Sequence, residues 1–127
     1  MDHFLAPSLL ITDDDRDFRE TLQGVFEPLG FQTHLAGDGE EALEIVAHTI
    51  VHVALFDMHM PRLTGLETIE RLREMGRDLP CILISANLTD EIRQRAQAFR
   101  VLSKPVRVHE VRATVAAAIE ATYGPRS

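Results

Sequence analysis

Short apolar runs alternate five times with amphipathic stretches along almost the whole chain, and nothing else in the sequence constrains the fold as strongly. The runs are Leu9-Leu10-Ile11, Phe31 to Ala36, Val51 to Phe56, Cys81-Ile82-Leu83-Ile84 and Val101-Leu102. They are too short for buried helices and read as strands, most of them apolar enough to be covered on both faces. Between the first two, Phe18, Leu22, Val25, Phe26 and Leu29 recur at helical spacing, and Gly30 is placed to end that helix in the left-handed conformation. Glu40 to Ala47 reads as a second helix, with Leu43, Val46 and Ala47 on one side and acids near its positive end. Thr64-Gly65-Leu66-Glu67 is a Thr-x-x-Glu capping box opening a third helix that runs to about Met75. A fourth is expected around Thr89 to Ala98. A fifth carries Val108, Val111, Val115, Ala118 and Ile119 until Gly124-Pro125 stops it. This order implies right-handed βαβ crossovers and one α/β domain with a parallel sheet between two helix layers. The chain of 127 residues suits a single core.

In such a sheet, ligand sites gather beyond the carboxyl ends of the strands. The polar candidates fall there: Asp13, Asp14 and Asp15 follow the first strand, Asp57 ends the third, Ser85 ends the fourth, and Lys104 follows the fifth. Crowded carboxylates repel one another unless a cation neutralises them, and Mg²⁺, a hard ion that takes a few carboxylates plus phosphate oxygens, suits the place. Asp57 is positioned as a carboxylate able to attack phosphorus. Phosphoryl transfer needs mainly positioning and charge neutralisation, which a divalent ion, the Lys104 ammonium and the Ser85 hydroxyl can supply. Asp15 and Asp17 read instead as acids favouring a helix N-terminus. Cys81, the single cysteine, excludes an internal disulfide and a Cys-rich zinc site and reads as a small buried hydrophobe. A net charge of −7 disfavours non-specific binding to nucleic acid or anionic membrane. No apolar run approaches the roughly 18 residues of a membrane span, so a cytoplasmic protein is expected.

Four ordered segments, LLITDDDRDFR, VALFDMHMPRLTGLE, CILISA and VLSKPV, carry a resemblance. From about Ser8 to Tyr123 the chain resembles the receiver domain of two-component response regulators, the CheY-like superfamily, leaving residues 1–7 and 124–127 as tails. The resemblance implies a flavodoxin-like, doubly wound (βα)5 sandwich with strand order 2-1-3-4-5. It makes Asp13 and Asp14 the acid pair, Asp57 the phosphoacceptor, and the backbone carbonyl of His59 a further Mg²⁺ ligand. Ser85 takes the place of the switch hydroxyl, with Ala86 and Asn87 beside it. Lys104 takes that of the invariant lysine, followed by Pro105, whose preceding bond is usually cis in the family. Pro61 and Gly65 match the loop on the acceptor side, and the side chains of His59 and Asn87 border the phosphate. Two departures stand out. Val101 occupies a position that is usually aromatic, while nearby Phe99 reads as core. The stretch from Ser85 to Lys104 is shorter than usual and lacks a small Gly-Ala turn, so the fourth helix is expected to be short or shifted.

The implied partners are a sensor histidine kinase or phosphotransfer protein as donor, and a downstream protein on the surface of the fourth helix, fifth strand and fifth helix. A homodimer is left open. No nucleic acid or membrane partner is expected within this chain, and it is expected to catalyse only its own phosphorylation and dephosphorylation. Three other readings compete: a degenerate receiver that binds partners without phosphate, a haloacid-dehalogenase-like phosphatase built on Asp13 and Asp15, and a flavin-binding module on the same fold. His34, His48, His52 and His109 read as scattered surface or half-buried residues, and His3 as part of the N-terminal tail.

Overall fold

The computed structural model describes residues 6–125; His3 and the outer parts of both expected tails lie outside the described residues. The elements run β1 Ser8–Thr12, α1 Arg16–Phe26, a 3-10 turn Glu27–Leu29, β2 Gln32–Ala36, α2 Gly39–His48, β3 Val53–Asp57, α3 Gly65–Glu74, β4 Cys81–Ser85, α4 Asp90–Ala96, β5 Arg100–Ser103 and α5 Val108–Tyr123. All strand pairs are parallel, in the order β2-β1-β3-β4-β5. This is the expected flavodoxin-like arrangement. Strands β1, β3 and β4 are buried along their full length, which is why their sequences are continuously apolar.

The period of two along each strand divides the core. Leu9, Ile11, Val53, Leu55, Ile82 and Ile84 face α1 and α5, where they meet Leu22, Phe26, Val111, Val115 and Ile119. Leu10, Ala54, Phe56 and Leu83 face the other way, onto Ala42, Val46, Leu66, Ile69 and Leu72 of α2 and α3. Thr64 caps α3 as the sequence predicts, its hydroxyl accepting the Glu67 N–H at 3.0 Å while the Glu67 carboxylate accepts the Thr64 N–H at 2.9 Å. Cys81 is buried. Among the described residues no helix is long and apolar enough to cross a membrane.

Three details differ from the sequence expectation. The first helix tightens after Phe26 into the 3-10 turn holding Pro28, and Gly30, at φ 96°, then closes it as expected. That geometry leaves Leu29 42% exposed. In α2 the buried side is Gly39, Ala42 and Val46, while Ala47 is exposed and Leu43 half-buried. Two alanines in one short helix look alike in sequence, and packing chose the other one. Helix α4 has seven residues and ends at Gln97 in the left-handed conformation, φ 45°, which supplies the turn for which the sequence provides no glycine. Its C-terminus is held by α3: the Arg73 guanidinium donates to the Ala96 carbonyl, and Arg95 pairs with Glu70 at 3.1 Å.

Gly65 opens α3 against the floor of the sheet end. A Cβ there would collide with the Asp57 carbonyl oxygen and come within 2.8 Å of Leu83 Cδ1. At Gly24, inside α1, an added methyl group would meet nothing within 4 Å. Gly65→Ala should therefore lower the unfolding free energy by about 2 kcal/mol or more, through overpacking against backbone that cannot yield. Gly24→Ala should raise it by about 0.5–1 kcal/mol through helix propensity. Urea denaturation of the two variants beside wild type checks both signs.

Candidate functional site

Each polar side chain of the site sits where a strand ends. β1 delivers Asp13, buried, and Asp14, exposed. The Asp13 Oδ1 accepts the Asp15 N–H at 2.8 Å, and the Asp13 carbonyl accepts from Arg19 at 2.7 Å. Asp15 caps α1, its Oδ1 accepting the Asp17 and Phe18 N–H groups at 3.0 and 3.3 Å. Asp15 thus does the capping work that the sequence assigns to it, and Asp17 lies in the first turn.

β3 ends on Asp57, which is only 2% exposed. Its Oδ2 accepts the His59 N–H at 3.1 Å, which fixes the rotation of the carboxylate. Its Oδ1 is buried and lacks an aligned hydrogen bond, yet the Lys104 ammonium approaches it to 2.5 Å as an ion pair. Lys104 reaches this point from the end of β5, where its N–H donates to the Ser85 carbonyl at 3.0 Å and ties β5 to β4. The Lys104-Pro105 bond is cis.

One carboxylate oxygen each from Asp13, Asp14 and Asp57 lie within 4.8 Å of one another. Together with Asp15, Phe18, His59, Ile84, Lys104, Pro105 and Val106 they line an open cavity of about 610 Å³. Burial pushes the Asp13 carboxyl up to about 6; the Asp57 and Asp14 charges add to this, and the Asp15 N–H and the Lys104 ammonium oppose it. For Lys104, burial works against the charge. The contact with Asp57 and the charges of Asp13 and Asp14 outweigh it, and its pKa rises. Three acids facing one ammonium leave an excess of negative charge, and the Lys104 ammonium is the one cation beside the buried Asp57 Oδ1 among the described residues. Those features fit a hard divalent cation, and Asp13, Asp14 and Asp57 are the side chains able to hold it.

The remaining candidates lie close by without entering the cavity. Ser85 is fully buried, and its Oγ accepts the Asn87 N–H at 3.2 Å. Ala86 and Asn87 are on the loop after β4, both exposed. Val101 is half-buried on the α4 side of the sheet, and Phe99 packs half-buried on the α5 side. Pro61 is exposed in the β3–α3 loop, and the Gly65 N–H donates to the Met58 carbonyl at 3.0 Å. His48 and His109 are exposed, and His34 and His52 half-buried. Sequence reasoning missed Arg19 and Arg62. Arg19 grips the backbone of Asp13, and Arg62 pairs with Asp38 at 2.5 Å; no linear pattern marks either contact.

The family model for the response regulator receiver domain matches residues 9–116. "Response regulator MprA" of Mycobacterium leprae is 38% identical over 119 residues, covering 90% of this chain and 51% of that protein. The chain thus spans about half the length of the curated relatives it matches. Among solved structures, the receiver domain of Francisella response regulator 1452 is similar at TM-score 0.84 and 28% identity, covering 91% of this chain and 98% of that one. Response regulator TrrA of Thermotoga maritima, in complex with Mg(2+)-BeF, is similar at TM-score 0.76 and 26% identity, covering 86% and 96%.

Because the folded state disfavours the Asp13 carboxylate, it loses stability as the pH rises from about 4 through about 6, relative to an unfolded chain whose Asp13 titrates near 3.8. In EDTA at pH 7.5, Asp13→Asn should raise the unfolding free energy by about 1–2 kcal/mol, discounted for the open cavity. The gap should narrow below about pH 6 and close near pH 4, where the carboxyl is protonated in the unfolded chain as well. Urea denaturation across this pH range measures it, and a variant less stable than wild type at pH 7.5 contradicts the expectation.

Proposed function

This chain belongs to the response regulator receiver domain family, and on that premise we propose that Asp57 accepts a phosphoryl group with Mg²⁺ held among Asp13, Asp14 and Asp57. The observation that carries this reading is the state of the Asp57 carboxylate. One oxygen is pinned by the His59 N–H, while the other is buried, free of aligned donors and 2.5 Å from the Lys104 ammonium. A carboxylate so fixed presents Oδ1 as a nucleophile without rotational search.

The donor is a phosphohistidine on a sensor histidine kinase or phosphotransfer protein. As the Asp57 oxygen bonds to phosphorus, the P–N bond breaks and its electron pair returns to the imidazole nitrogen. Lys104 neutralises charge developing on the transferring group. When bound, Mg²⁺ supplies further neutralisation of the phosphoryl oxygens, and by family resemblance the His59 carbonyl joins its ligands. That the similar TrrA is solved in complex with Mg(2+)-BeF supports a Mg²⁺-dependent reading for this chain. The chain catalyses only its own phosphorylation and dephosphorylation.

The new dianion attracts the Ser85 hydroxyl away from the Asn87 N–H, and the β4–α4 loop carrying Ala86 and Asn87 follows. That shift biases the α4–β5–α5 surface, with Val101 in the place usually held by an aromatic, towards one of two arrangements. A downstream protein reads that surface, and the setting is the cytoplasm.

Intact mass after treatment with acetyl phosphate and Mg²⁺ tests the assignment. Wild type should gain one phosphoryl group and Asp57→Asn none; equal labelling of the two overturns it. In calorimetric titrations Asp14→Asn should weaken Mg²⁺ binding by about tenfold or more.

A further inference from the structure

The β3–α3 loop contains a strained residue. Arg62 sits at φ 67°, and the Leu63 N–H donates to the Pro61 carbonyl at 2.7 Å, closing a three-residue turn around it. A residue with a Cβ adopts that turn only under external constraint. Part of the constraint is apolar, since Met60 and Leu63 on either side are each only 7% exposed. The rest is electrostatic. The Arg62 guanidinium lies 2.5 Å from Asp38 Oδ2, with Glu40 Oε1 3.9 Å from its Nε.

Asp38 is prepared for this contact. It caps α2, its Oδ1 accepting the Glu41 N–H at 2.8 Å, so its side chain is already oriented before Arg62 arrives. The pair spans 24 residues of sequence and links the acceptor loop to the start of α2. An exposed ion pair contributes little and left-handed non-glycine backbone costs more, so the pair offsets part of the strain and the buried Met60 and Leu63 the rest. The pair thus helps hold the loop in register, and the loop's start carries the His59 N–H that fixes Asp57 Oδ2.

We propose that Arg62 is a positioning residue: paired with Asp38, it holds the β3–α3 loop so that the His59 N–H stays on the Asp57 carboxylate, and thereby sets the phosphorylation rate. The proposal rests on the phosphoacceptor reading of Asp57.

Labelling rates with acetyl phosphate and Mg²⁺ provide the first test, in Arg62→Ala, Arg62→Gly, Asp38→Asn and the Arg62→Ala/Asp38→Asn double variant. Asparagine keeps the helix cap and removes the charge. Arg62→Ala and Asp38→Asn should each slow labelling about fivefold, and the double variant no further, as for two ends of one contact. Arg62→Gly should recover part of the loss, because glycine takes the left-handed turn without strain. Asp38→Asn is the decisive variant: steering of an anionic donor alone would make it faster, since it removes a negative charge. A faster Asp38→Asn, or rates equal to wild type throughout, overturns the proposal.

The second readout does not depend on phosphate. The His59 amide resonance in ¹⁵N spectra of the metal-free protein should move in Arg62→Ala and Asp38→Asn and return towards wild type in Arg62→Gly. Should wild type itself take no label, the phosphoacceptor reading fails, and an unmoved His59 amide then overturns the tether by itself.

Discussion

The burial of one carboxylate governs this structure. Asp57 lies at the end of the central strand with almost no contact with water, and an isolated charge there would be costly. It is tolerated because two elements neutralise it. The loop after β3 donates a backbone N–H and β5 sends an ammonium, while β1 brings further acids that work against them. The arrangement is unbalanced towards negative charge, and the cost falls on Asp13, whose carboxyl is pushed well above the usual range. A hard cation is the species that such an imbalance favours.

The parallel sheet makes this convergence possible. With both faces covered, strands have no room for polar side chains along their length, and β1, β3 and β4 confine them to their ends. Register then aligns those ends: Asp57 pairs across to Ile84, and Ser85 to Ser103, which places Lys104 one step beyond. The outer layer is secured by local devices. Arg73 and Arg95 fasten the short α4 to α3, and Gln97 makes its turn without a glycine. Arg62 and Asp38 fasten the acceptor loop to α2. The helices that flank the site are thus tied to neighbouring segments by arginines.

Much of this was legible in the linear chain. Five strands, the capping box at Thr64, the left-handed stop at Gly30 and the placement of Asp13, Asp14, Asp57 and Lys104 at one sheet end all follow from short-range patterns. What escaped has physical causes. Ala42 and Ala47 are indistinguishable to a periodicity argument, and the choice between them belonged to the facing residues of the sheet. Ser85 stands at the expected strand end, but the direction of its hydroxyl depends on the turn that presents the Asn87 N–H. Arg62 carries no motif, because its role exists only when a left-handed turn and a distant helix cap meet.

The sequence by itself determined which segments become strands and helices and which polar residues stand at strand ends, since both depend on spacing within about ten residues. The tertiary structure alone decided which of those residues touch, how far each is withdrawn from water, and hence which charges are strained. Distances between side chains on different strands come from sheet order and register, and electrostatic energy depends on those distances and on burial, neither of which is a property of neighbours in the chain.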